Sequence, residues 1–175
     1  MIEIKKVGSE SIPHVKALAE RIWPVAYGSI ISPEQMRYML DLIYSTSSLE
    51  KQIEEQHHHF ILALETSVPC GFASYSPLET SFPENEAISA DKIVYRLHKL
   101  YIDPFCQGKG IGRFLLDFII SDIKQKNATD LELNVNRHNK ALDFYQKAGF
   151  IITRDEDIDI GNGYFMNDFV MNLSI

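Results

Sequence analysis

The chain has no apolar run near the roughly 18–20 residues that a membrane helix needs, so a spanning segment is not expected. It has only two cysteines, Cys70 and Cys106, which form neither a metal pattern nor a disulfide framework. Two such thiols suit a reducing compartment, and the cytoplasm is the expected location. Basic charge is in deficit: 17 Lys and Arg stand against 24 Asp and Glu, for a net charge of −7. A nucleic-acid binder needs a basic face to displace counterions, so that class is disfavoured, while a cationic small substrate is mildly favoured. Repeats, low-complexity tracts and linkers are also missing, which leaves a single domain over residues 1–175. The start, Met1-Ile-Glu-Ile-Lys-Lys, lacks the unbroken apolar stretch of a leader and alternates like a first strand. His57-His58-His59 has no third ligand specified, so no metal site is read there.

What is present is ordinary for a folded domain: 45% hydrophobic and 23% charged residues. Periodicity predicts a strand at Glu3–Lys6, then a helix at Ile12–Ile22 broken by Trp23-Pro24. A second helix starts at Ser32-Pro33-Glu34-Gln35, where Ser32 caps, Pro33 suits the first turn and Gln35 completes a capping box. A short amphipathic piece, Leu49–Gln56, follows. His59–Glu65 and Gly71–Ser76 form a hairpin around a turn at Thr66–Pro69. Residues 78–91 read as a loop, and Ile93–Ile102 as a long strand ended by Asp103-Pro104. Ile111–Lys126 is a helix with Ile111, Phe114, Leu115, Phe118, Ile119 and Ile123 on one stripe. Leu131, Leu133 and Val135 alternate as a strand, Asn139–Ala148 is a helix stopped by Gly149, and strands Phe150–Thr153 and Phe165–Leu173 close the chain. The acidic residues Asp155, Glu156, Asp157 and Asp159 are expected on a loop between those last two strands.

Between the long strand and the amphipathic helix lies Gln107-Gly108-Lys109-Gly110-Ile111-Gly112. Glycines let the main chain approach a ligand, and a helix N-terminus presents free N–H groups and positive dipole, a combination that binds phosphate oxygens. The dinucleotide fingerprint G-x-G-x-x-G fails, because Arg113 stands beyond Gly112 and the loop comes late in the chain. The triphosphate loop G-x-x-x-x-G-K-S/T is absent. What remains is Q-x-x-G-x-G after Leu100-Tyr101-Ile102-Asp103-Pro104.

That string resembles motif A of the GNAT superfamily of N-acetyltransferases, matching it at Leu100, Ile102, Pro104, Gln107, Gly110 and Gly112. Downstream, Asn139 to Phe150 resembles the family's motif B, N-x-x-A-x-x-F-Y-x-x-x-G-F. Ala141 stands two rather than three places after Asn139, so Asn136 and Asn139 both remain open as the asparagine that meets the cofactor. The resemblance implies an α/β fold of α+β type: a mostly antiparallel mixed sheet of about seven strands, helices on both faces and a splayed strand pair. It also implies acetyl-CoA as the acyl donor. The backbone of Leu100 and Ile102 would bond the pantetheine arm, amides from Gln107 to Gly112 would hold the pyrophosphate, and a nearby backbone N–H would stabilise the oxyanion.

The family pattern makes Tyr145 the expected general acid, protonating the leaving thiolate; its spacing alone equally allows a core aromatic. Alternation puts Arg96, His98, Leu100 and Ile102 on one strand face, so His98 is expected beside the donor as the base, the alternative being a histidine packed in the sheet. The acceptor side is expected to draw on Trp23, Tyr27, Tyr38 and the acidic run. The chain is similar to bacterial polyamine acetyltransferases, which implies a polycationic amine as acceptor. A peptide amine, N-terminal or lysine, is the second reading, and a non-catalytic acyl-CoA-binding module a third. The oligomeric state stays open, a homodimer included.

Overall fold

The computed structural model describes residues 1–78 and 92–175. Its elements are β1 (Ile2–Val7), α1 (Ile12–Tyr27), α2 (Pro33–Tyr44), α3 (Thr46–Glu54), β2 (His59–Glu65), β3 (Val68–Pro77), β4 (Val94–Ile102), α4 (Ile111–Lys124), β5 (Asp130–Asn136), α5 (Ala141–Lys147), β6 (Ile151–Gly161) and β7 (Tyr164–Ser174). The expected loop at 78–91 falls outside the described residues from position 79 onward.

The seven strands form one sheet in the order β1-β2-β3-β4-β5-β7-β6. All described pairs are antiparallel except β4 with β5, which is parallel. Alternation along the strands builds two cores. Phe60, Leu62 and Phe72 face Leu18, Ile22, Trp23, Met39, Tyr44 and Leu49 of α1–α3. On the other face, Ile61, Ala73, Leu97, Leu131, Leu133 and Met171 pack with Leu115, Ile119 and Ile123 of α4 and with Tyr145 of α5.

Two features of the sheet position the site. First, β4 and β5 pair only from Val94↔Asp130 to Leu97↔Leu133; beyond that, the edge of β4 facing β5 has no strand partner, and the pair splays. Second, the β3–β4 register shifts between Ser74↔Lys99 and Tyr75↔Leu97, leaving His98 as an extra residue in a bulge. A bulge reverses the alternation. Tyr95 and Leu97 therefore face the α4 side, and so do Leu100 and Ile102 after it, while Lys99 and Tyr101 face α1–α3. The expectation that His98 shares a face with Leu100 and Ile102 is corrected: His98 lies on the opposite face, against Ser76 and His58.

Several boundaries move for local reasons. Pro24 does not end α1, which runs to Tyr27. A proline inside a helix removes one bond and costs about 3 kcal/mol. Trp23, buried against Tyr44 at 5.6 Å between centroids, and the 2.9 Å Tyr27–Tyr101 hydroxyl contact hold the extra turn. The Ser32 cap forms, its hydroxyl accepting from the Gln35 N–H at 3.1 Å. Gln35 does not return the bond but donates to the Phe165 carbonyl at 3.3 Å, so the capping box is half made. The hairpin turn is Thr66-Ser67, both at positive φ, with Val68 and Pro69 already in β3. In α4 the stripe stands at Ile111, Leu115, Ile119 and Ile123, all buried, with Leu116 buried beside them and Phe114 half exposed.

The larger correction is at the end of the chain. Asp155, Glu156, Asp157 and Asp159 lie inside β6, paired along β7, and not on a loop. Asp155 sits opposite Phe169 and Asp157 opposite Asn167, and Asp157 accepts from Arg137, whose guanidinium covers the Phe169 ring. Phe169 packs on the α4 side, so Asp155, Asp157 and Asp159 face away from α1–α3. Only Glu156, opposite Asp168, faces toward them, and there it accepts from Asn134.

Candidate active site

The splay opens a cleft of about 660 Å³ between the free edge of β4 and the inner end of β5. It is lined along β4 from Leu97 to Ile102, along β5 from Leu133 to Val135, and by Asn139, Phe144 and Tyr145. At its mouth lie Gln107, Gly108, Gly110, Ile111, Gly112 and Arg113.

The mouth has the chemistry of an anion cradle. Gly108 and Gly110 hold φ of +78° and +76°, and a Cβ at either position would meet nothing within 4 Å. Such torsions suit glycine, and the space beside them is open to a ligand. The amides of Gly108, Lys109, Gly110, Ile111, Gly112 and Arg113 find no protein acceptor among the described residues. They point as a group from the N-terminus of α4, where the helix dipole favours negative charge. Gln107 ties this loop to β4 by donating to the Ile102 carbonyl at 3.2 Å. Lys109 enters through its amide alone, since its ammonium is paired with Glu65 at 2.7 Å. Arg113, which sequence reasoning did not single out, also lines the mouth, its guanidinium paired with Asp117 at 2.9 Å.

The two asparagines separate. Asn139 lines the cleft, its Oδ1 accepting from the Ala141 N–H at 2.9 Å to start α5. Asn136 lines a second, smaller cavity, so it is corrected from a cofactor position to the other side of the sheet. This happens because β5 alternates: Leu133 and Val135 face α4, and Asn134 and Asn136 face α1 and α2.

That second cavity, about 220 Å³, is walled by Trp23, Tyr27, Met39, Tyr44, Tyr101 and Phe165, with Lys99 and Asp168 among its polar lining. It joins the cleft across shared walls: Tyr27, His98, Lys99, Tyr101 and Asn134 line both. Hydrogen bonds tie α2 to the β6–β7 hairpin at its roof. Tyr38 of α2 donates to the Ile160 carbonyl at 2.7 Å and packs at a tilt against Tyr164, ring centroids 5.5 Å apart, and Gln35 reaches Phe165.

Around this junction the titratable groups are displaced by burial. Tyr145 packs on Phe144 and Phe150, and among the described residues its hydroxyl makes no protein hydrogen bond. Burial, then the nearby Tyr27 phenol, pushes its pKa well up, so the hydroxyl keeps its proton. His98 shares a 2.8 Å hydrogen bond with Ser76 and stacks on His58 at 3.8 Å. Burial first, then His58, Lys99 and Arg96, push its pKa down to about 2. A ring so hemmed in is a weak proton acceptor. Lys99 donates to Gln52 at 2.6 Å over the rings of Tyr44 and Phe60, and burial pushes its pKa down to about 7. Asp168 is 6% exposed, and burial pushes its pKa up to about 6.

Comparison with known proteins agrees with this geometry. Residues 29–164 match the family described as acetyltransferase (GNAT) domain. The spermidine N(1)-acetyltransferase of Thermoplasma acidophilum is 28% identical over 94% of this chain and 95% of its own. The crystal structure of the PaiA N-acetyltransferase of Thermoplasma acidophilum with coenzyme A superposes with a TM-score of 0.78 at 27% identity, covering 100% of this chain and 99% of that one. The peptidyl-lysine N-acetyltransferase YjaB of Escherichia coli is 42% identical over a shorter stretch, 37% of this chain and 42% of that protein. The chain thus belongs to the GNAT family and is an N-acetyltransferase with acetyl-CoA as its acyl donor.

Proposed function

We propose that the acceptor is a small cationic primary amine, received in the aromatic chamber and acetylated where that chamber meets the cleft. The carrying observation is the shared wall of Tyr27, His98, Lys99, Tyr101 and Asn134, which brings an amine in one cavity against a thioester in the other. Holding the two reactants in line supplies most of the rate in such a site. The free amides from Gly108 to Arg113 take the pyrophosphate, and the unpaired edge of β4 at Leu100 and Ile102 takes the pantetheine amides. Tyr145, protonated and without a partner among the described residues, donates to the departing sulfur.

The roof from α2 to the β6–β7 hairpin favours a small amine over a peptide, which needs an open groove for its backbone. The similarity to a spermidine acetyltransferase supports a polyamine among the acceptors. We place the enzyme in a reducing cytoplasm, which suits the free thiols Cys70 and Cys106. The test is thiol release from acetyl-CoA with spermidine, 2-phenylethylamine, an aminoglycoside and a peptide N-terminus side by side. Turnover of the first two above the peptide is expected; peptide alone would reverse the reading.

A further inference from the structure

The acid on the acceptor side is not in the acidic run but on β7. Asp168 stands opposite Asn136 on β5 and Glu156 on β6, on the face that lines the aromatic chamber. It is buried, yet among the described residues no Lys, Arg or His lies within ion-pair distance of its carboxylate. Arg137, the nearest cation by its effect, bonds the Asp168 backbone carbonyl at 3.1 Å and spends its other nitrogen on Asp157. A buried carboxylate without a cation is costly unless a ligand supplies one.

An orphaned oxygen lies beside it. The Oδ1 of Asn134 is buried with no hydrogen-bond partner, while its Nδ2 is committed to Glu156, which fixes the amide's orientation. Asn134 lines both cavities, and its amide also acts on the Asp168 carboxyl as a hydrogen-bond donor, which opposes the effect of burial. A carboxylate without a cation, an orphaned carbonyl oxygen and aromatic faces together complement one ammonium, which offers three N–H donors and a charge.

We propose that Asp168 and the Asn134 Oδ1 receive the ammonium of the acceptor amine, and that Asp168 takes the proton this nitrogen must lose before it attacks. The freed lone pair forms the N–C bond, the C–S bond breaks, the sulfur takes its proton from Tyr145, and the second proton shed by the acylated nitrogen restores the Tyr145 hydroxyl. This rests on the acceptor reading above. The charged or titratable groups facing Asp168 are Glu156 from β6, Tyr27 from α1 and, across the chamber, Lys99 and His98 from β4.

The test is Asp168→Asn, a change of nearly equal shape, assayed with whichever of spermidine and 2-phenylethylamine the wild type turns over faster. At pH 7 we expect kcat/KM for the amine to fall roughly 100-fold or more, the size of a lost acid–base group. Acetyl-CoA affinity by calorimetry should stay within about twofold, as the amides from Gly108 to Arg113 are untouched. The defect should shrink as pH approaches the amine's own pKa, because the amine then arrives deprotonated. A pH profile parallel to wild type, or a fall in acetyl-CoA affinity equal to the fall in kcat/KM, would overturn the assignment and leave the acceptor reading standing. Absence of thiol release by the wild type with either amine would overturn both.

Discussion

His98 lies flat against His58, ring centroids 3.8 Å apart and planes 10° from parallel, on the sheet face opposite Leu100 and Ile102. This stacked pair is held in place by Ser76 and flanked by Lys99, so neither ring readily accepts a proton; burial also pushes His58 down, to about 4.

His98→Ala should therefore act on stability more than on chemistry. Losing the stack and the Ser76 bond should cost about 1–3 kcal/mol, the usual range for a buried polar partner removed. The acidic limb of the kcat/KM profile should keep its midpoint. Urea unfolding and a pH series check both, and disappearance of that limb would make His98 the base.

Tyr145→Phe should show the reverse pattern. The hydroxyl has no partner to lose among the described residues, so the melting temperature should hardly change, while turnover falls roughly 10²–10⁴-fold. Because burial raises the phenol's pKa, its ionisation should contribute no loss of activity below about pH 10, the ordinary phenol value. A turnover drop under about threefold, well below that range, would return Tyr145 to a packing role.

The strand–loop–helix around Gly110 was legible because local chemistry dictates it: glycines at positive φ, then an apolar stripe at helical spacing. The bulge at His98 was not, since no residue type marks one extra position in a strand, and that slip moved His98 to the other face. Pro24 misled because packing by Trp23 and Tyr27 outweighs one lost helix bond. The acidic run misled because Asp is rare in strands, although Asp157-Ile158-Asp159-Ile160 alternates as an edge strand should. Asp168 had a usable signal: it shares its strand face with Met166 and Val170, where a solitary acid has no packing reason to be.

Gly110 and Gly163 offer a controlled comparison. Both sit near φ +76° with nothing within 4 Å of a Cβ, so alanine should strain each by about 1–2 kcal/mol. Gly163 lies at the β6–β7 turn, while Gly110 borders the cleft. Gly110→Ala should weaken acetyl-CoA binding and Gly163→Ala should not, at matched loss of stability. Calorimetry with acetyl-CoA decides it; equal affinities would remove the Gly110 loop from the donor site.

Lys99 gives the protein a measurable pH signature. Its ammonium is buried over Tyr44 and Phe60 with the Gln52 carbonyl as its one hydrogen-bond partner among the described residues, and its folded pKa of about 7 lies below the ordinary value near 10.4. Between those values the unfolded chain holds a proton that the folded chain has released. Stability from this group is therefore full above pH 10 and is lost as pH falls toward 7, at up to about 1.4 kcal/mol per pH unit. Lys99→Met keeps the length and removes the titration, at the cost of an unsatisfied Gln52 oxygen that does not depend on pH. Wild type should gain on Lys99→Met steadily from pH 7 to pH 9 in urea midpoints at fixed salt. Parallel midpoints across that range would mean that Lys99 stays protonated in the folded protein, and that the chamber carries a full positive charge at every working pH.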